Sequence, residues 1–82
     1  MTTQDTVLRI VGRVLSHGGP ISEPLPTDTL ADLGVDPIDY LGIWQCLEDE
    51  FIGLEISEAQ VAGWSSVADI IKTVEDWHHG TA

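Results

Sequence analysis

The sequence predicts an all-α domain, a bundle of three main helices and one short helix with a long loop after the first helix. Apolar residues recur at helical spacing in separate segments, and no segment shows the sustained alternation of a strand. Proline, glycine and capping residues stand at the boundaries of these segments. With 82 residues, the chain is long enough for one domain, over residues 1–82, with an ordered core over about 4–78.

The first helix is predicted over residues 4–16. Its apolar residues follow the spacing of one helix face: Val7, Leu8, Val11, Val14 and Leu15. Thr2 and Asp5 have the three-residue spacing of a reciprocal cap, and the glycines and proline of residues 17–20 predict the end of the helix. The loop over residues 18–36 is rich in proline, and we expect three leucines to anchor it to the core: Leu25, Leu30 and Leu33.

The second helix has the clearest start. Asp36 is a favourable N-cap, Pro37 stands at the first helical position, where a missing N–H costs nothing, and Asp39 suits the positive end of the helix dipole. Large apolar residues are predicted to share one face: Tyr40, Trp44, Leu47 and Phe51. The opposite side is predicted to carry Asp39, Gly42, Gln45 and Asp49.

Two further helices are predicted from capping residues. Ser57 and Gln60 form a capping box that opens a short helix ending at Gly63, and Ser66 and Asp69 repeat the arrangement for the last helix. The last helix carries an apolar stripe of Val67, Ile70, Ile71, Val74 and Trp77. We expect the core to include Val11, Leu33, Leu47, Phe51, Ile56, Ile70 and Val74.

The charge balance excludes several classes of partner. Three Lys and Arg residues stand against fourteen Asp and Glu residues, which gives a net charge of −11. Nucleic acid and anionic membrane surfaces would repel such a chain. A single cysteine and the lack of a signal peptide or membrane-length apolar run predict a cytoplasmic protein. We expect the helical bundle to be a monomer.

The sequence offers no catalytic or metal site. Ser16 and His17 are neighbours at a predicted helix end, whereas a catalytic triad needs groups brought together in space. His78 and His79 stand side by side near the chain end and point in different directions, whereas zinc requires convergent ligands. We therefore expect no catalytic residue, no bound metal and no enzymatic activity.

One stretch carries a more specific signal. Residues 30–39 read Leu-Ala-Asp-Leu-Gly-Val-Asp-Pro-Ile-Asp, and residues 47–51 read Leu-Glu-Asp-Glu-Phe. This stretch resembles the signature of the acyl carrier protein family, Leu-x-x-Leu-Gly-x-Asp-Ser-Leu/Ile followed by a helix that ends in acidic residues and phenylalanine. The resemblance extends over the chain from Gln4 and implies the four-helix fold of acyl and peptidyl carrier proteins.

The chain departs from this signature at the residue that carries the family's chemistry. In carrier proteins the serine of the signature accepts 4′-phosphopantetheine, and here Pro37 occupies that position between the matching Asp36 and Ile38. Proline has no hydroxyl, so we expect no cofactor on the chain as it stands, and 4′-phosphopantetheine only if Pro37 were serine. Gly42 is a second departure, since family members often carry an acidic residue there.

The resemblance implies a binding function. We expect an acyl carrier protein-like module of fatty-acid, polyketide or peptide biosynthesis that acts by docking to a synthase, transferase or ligase with a basic patch. The docking surface is predicted to comprise Asp36, Ile38, Asp39, Gly42, Gln45, Glu48 and Asp49. One alternative is a true acyl or aminoacyl carrier whose attachment serine is replaced at Pro37. An alternative of another class is an acidic inhibitor or nucleic-acid mimic.

Overall fold

Four helices form the described part of the chain, which comprises residues 2–16 and 23–80 of a computed structural model. They are α1 (Thr3–Ser16), α2 (Pro37–Glu50), α3 (Glu58–Ala62) and α4 (Val67–Gly80). Within those residues the β-structure is limited to an isolated antiparallel bridge between Thr29 and Ser66. The predicted all-α fold of three main helices and one short helix is confirmed.

The capping residues correctly predicted where the helices begin. Asp36 caps α2 and Ser57 caps α3, each in a capping box with the residue three positions later. At α1, the Asp5 amide donates to Thr2 Oγ1 at 3.1 Å. The predicted signal for the end of α1, residues 17–20, lies outside the described residues.

The core lies where α1 packs against both α2 and α4. Five of the predicted core residues are buried: Val11, Leu47, Ile56, Ile70 and Val74. Phe51 and Leu33 are only half-buried at the edge of the core. Phe51 caps the end of α2 beyond its last turn, and Leu33 belongs to the loop, so both contact the core from one side. Fully buried Ile43 lies outside the predicted apolar face of α2.

The loop before α2 is anchored to the segment that opens α4. The Leu30 amide donates to the Ser65 carbonyl, and the Val67 amide donates to the Asp28 carbonyl, both at 3.0 Å. Leu30 is buried as predicted, whereas the prediction that Leu25 anchors the loop is wrong, since 62% of it is exposed. Its amide bonds to Asp28 Oδ2 in a surface turn, which holds Leu25 outside the core.

Candidate functional site

The carboxylates of Asp36 and Asp39 accept hydrogen bonds from backbone amides at the start of α2. The Asp39 amide donates to Asp36 Oδ1 at 2.8 Å, and the Asp36 amide donates to Asp39 Oδ2 at 3.3 Å. Pro37, at the first helical position, has no N–H and is exposed. Three of the donors that a helix N-terminus would offer to an anion are therefore absent or occupied.

Asp39 lies in the interior and not on the exposed side of α2. Only 3% of its surface is accessible, so the prediction that it shares the exposed side with Gln45 and Asp49 is wrong. Its side chain turns back towards the N-cap amide, and this contact holds the carboxylate against the protein. A docking partner on the solvent side of α2 would therefore not meet this charge.

Glu48 also directs its carboxylate into the protein. Its Oε2 accepts a hydrogen bond from Trp44 Nε1 at 3.1 Å and from the Ile56 amide at 3.0 Å. Ile56 precedes α3 and is itself buried, so this single oxygen joins α2 to the segment that leads into α3. Glu48 is half-buried in this position.

Gly42 lies against Val14 of α1. A Cβ atom at this position would stand 3.2 Å from Cγ1 of Val14, which is tighter than an ordinary contact. A larger side chain at this position, acidic or not, would therefore press against Val14 of α1. Sequence reasoning placed Gly42 on the solvent side of α2, and the structure shows it half-buried.

The exposed part of α2 near its start is apolar. Ile38 is 76% exposed and Leu41 is 59% exposed, one helical turn apart beside the exposed Pro37. We call these three residues the α2-start surface. Charge appears on the exposed residues of α2 only at its two ends, at Asp36 before the helix and from Asp49 onwards, with Gln45 neutral between them.

A shallow groove of about 240 Å³ adjoins the α2-start surface. It is lined by Pro37, Tyr40, Val61 and Ala62, so it lies between α2 and α3. Sequence reasoning missed Leu41, Val61 and Ala62 as candidate site residues. The three-residue spacing of Ile38 and Leu41 was the available signal for Leu41, whereas the residues of α3 are brought near by the fold.

The comparison with known families decides the assignment. The family model described as the phosphopantetheine attachment site matches residues 5–74, a range that contains α2 and α3 entire. The chain belongs to the phosphopantetheine attachment family. A comparison with curated proteins finds no match. Domains of this family normally carry 4′-phosphopantetheine, interact with biosynthetic enzymes and are not themselves catalytic.

The start of α2 does not fit covalent attachment of the family's cofactor. A phosphodiester needs a hydroxyl, and Pro37 offers none. The serines of the described residues are engaged at helix ends: Ser16 donates to a carbonyl of the last turn of α1, and Ser57, Ser65 and Ser66 take part in the caps of α3 and α4. Ser22 lies outside the described residues.

Among residues 2–16 and 23–80, no helix has the length and apolar character to cross a membrane. Within the same residues, no three His, Cys, Asp or Glu side chains are grouped as metal ligands. His17 lies outside the described part of the chain.

Proposed function

We propose that the chain is an acyl carrier protein-like docking module of a fatty-acid, polyketide or peptide biosynthetic pathway that does not itself carry phosphopantetheine. The observation that carries the proposal is Pro37, exposed at the first position of α2 within an intact capping box. The helix start is retained while its nucleophile is replaced. The module is a single cytoplasmic, monomeric domain without enzymatic activity.

The hydrogen bonds in the first turn of α2 support the proposal that the chain does not carry phosphopantetheine. A helix N-terminus binds phosphate through free backbone N–H groups. Here Pro37 has none, and the amides of Asp36 and Asp39 are bonded to each other's side chains. The turn therefore has little capacity to hold the phosphate of the cofactor even without a covalent bond.

The exposed residues of α2 support docking through an apolar centre. Ile38 and Leu41 expose most of their side chains to solvent, and the groove against α3 is lined by Pro37 beside them. A partner that buries both side chains would gain on the order of 1.5–3 kcal/mol from each before the costs of association. We propose that the partner is a synthase, transferase or ligase with an apolar depression at its docking site.

The overall charge supports basic residues around that depression. The net charge of −11 attracts a basic surface over a distance and increases the association rate more than the affinity. The exposed Asp36 and Asp49 flank the apolar centre on α2. Asp39 and Glu48, which hold internal hydrogen bonds, contribute to this field without direct contact.

Intact-mass measurement tests the loss of carriage. The unaltered chain and a Pro37→Ser variant are incubated with a phosphopantetheinyl transferase and coenzyme A. We expect no added mass on the unaltered chain and the mass of one arm on the variant, since serine supplies the hydroxyl that the phosphodiester requires. An unrelated carrier protein with its serine intact controls for transferase activity.

Modification of the unaltered chain would overturn the proposal, because another residue would then accept the arm. Peptide mapping would identify that residue. A Pro37→Ser variant that folds and stays unmodified would contradict the assignment of Pro37 to the attachment position. Circular dichroism of both chains separates this outcome from misfolding.

A further inference from the structure

A second apolar surface lies at the other end of α2. Ile52 is 82% exposed, the highest value among the large hydrophobic residues of the described chain. It precedes Gly53, whose φ of +93° turns the chain sharply after the helix. The Gly53 Cα faces α4, since a Cβ there would lie 3.7 Å from Cζ2 of Trp77.

Three aromatic rings adjoin this turn. Phe51 and Trp77 meet edge to face with ring centroids 6.3 Å apart. His78 packs against both, at 5.6 Å from Phe51 and 4.7 Å from Trp77. Phe51 and Trp77 are half-buried, and His78 is exposed. We call Phe51, Ile52, Trp77 and His78 the α2-end surface.

Trp77 of this surface is of a residue type that often dominates the binding energy at interfaces. A half-exposed tryptophan held by neighbouring rings is already ordered, so it loses little conformational entropy when a partner covers it. Ile52 is not part of the core, so its burial by a partner would add a favourable hydrophobic contribution to the binding free energy.

The carboxylates near the α2-end surface favour a basic partner over an acidic one. Four exposed carboxylates come from the sequence neighbours of its residues: Glu50, Glu55, Glu75 and Asp76. A second copy of the chain would bring the same carboxylates and the same net charge of −11 against them. An anionic membrane would be repelled as well. A basic partner is complementary, and arginine can both stack on an indole ring and pair with carboxylates.

We propose that the α2-end surface binds a basic segment of a second protein, in which arginine stands next to a large apolar side chain. The apolar side chain would contact Ile52 and Trp77, and the arginine would pair with the surrounding carboxylates. The nearest residues of the two surfaces on α2, Leu41 and Phe51, are separated by about 15 Å along the helix, and we propose that both surfaces are occupied at once. The chain would then bridge two proteins, a role that rests on the proposed docking function.

Nuclear magnetic resonance of the isotope-labelled chain tests the binding. The probe is a synthetic peptide of alternating arginine and leucine, and a peptide with every leucine replaced by serine has the same charge. At physiological ionic strength, exposed charges more than about 8 Å apart are largely screened. We expect saturable shifts centred on the Trp77 indole N–H and the Gly53 amide with the first peptide only.

Two matched variants locate the contact. Ile52→Ser should weaken peptide binding roughly tenfold, the effect of losing one buried aliphatic side chain. Leu25→Ser, at a site 62% exposed in the loop before α2, should leave it unchanged. Both positions are exposed, so neither substitution removes a core contact.

Four results would overturn the inference: no binding, equal binding of both peptides, shifts spread over the acidic surface, or equal effects of the two variants. If the mass measurement instead finds an arm on the unaltered chain, the proposed function fails while localised peptide binding still stands.

Discussion

Glu48 provides the sharpest test of how α2 is held against the rest of the protein. Its carboxylate accepts hydrogen bonds from Trp44 Nε1 and from the Ile56 amide. Glu48→Ala would leave both donors without this partner, and the Ile56 residue is only 5% exposed. Hydrogen bonds to charged groups contribute about 1.5–3 kcal/mol each, and the two share one oxygen of a half-buried side chain. We therefore expect a total loss of about 2–4 kcal/mol.

Urea unfolding followed by circular dichroism measures this loss. Glu48→Gln is the matched variant, because its amide oxygen can still accept and only the charge is removed. We expect it to lose less than half as much stability as Glu48→Ala. Asp49→Ala, at the exposed neighbouring position, should change stability by no more than about 0.5 kcal/mol.

Equal stabilities of the Glu48→Ala and Asp49→Ala variants would refute this reasoning. Glu48 would then be a solvated surface charge that is free to contact a partner. The distinction also matters for docking experiments. A charge reversal at Glu48 is expected to weaken partner binding by disturbing the fold, so Asp49 is the position at which to test surface charge.

Two other predictions concern packing and pH. In a Val14→Ala background, Gly42→Ala should increase the free energy of unfolding by up to about 1 kcal/mol. The gain should be smaller in the unaltered chain, because the added Cβ would press on Val14. Additive effects of the two substitutions in a double-mutant cycle would contradict this prediction. Hydrogen bonds from Ser65 and Ser66 lower the pKa of Asp69 below its ordinary 3.8. Because the unfolded chain then binds this proton at a higher pH, the contribution is complete above the unfolded-state pKa and is lost as the pH falls through the folded-state pKa. Urea unfolding at pH 7 and pH 3 should show a shallower decline for Asp69→Asn, and an unchanged decline would contradict the assignment.

The helix starts were predictable because their signals are local. Asp36, Ser57 and Ser66 each bond to the amide three residues later, so the residues within one helical turn decide these boundaries. The same local pattern identified Pro37 at the first position of α2. The resemblance to the acyl carrier protein signature depends on the residues of the same stretch, 30–39.

The sequence did not predict which residues of α2 face solvent. Asp39 is drawn inwards by its own N-cap, and Glu48 is held by a residue eight positions along the chain. Ile38 and Leu41 expose their side chains although both are apolar. Helical periodicity shows that residues share a face, whereas the neighbours of that face decide whether it is covered.

The sequence by itself therefore determined the helices, their caps and the proline at the first position of α2. Only the tertiary structure decided that the exposed surface at the start of α2 is apolar and that Gly42 meets Val14 on α1. It also brought Phe51 at the end of α2 against Trp77 of α4. Caps and periodicity depend on residues a few positions apart, whereas exposure depends on which distant segments pack against each side chain.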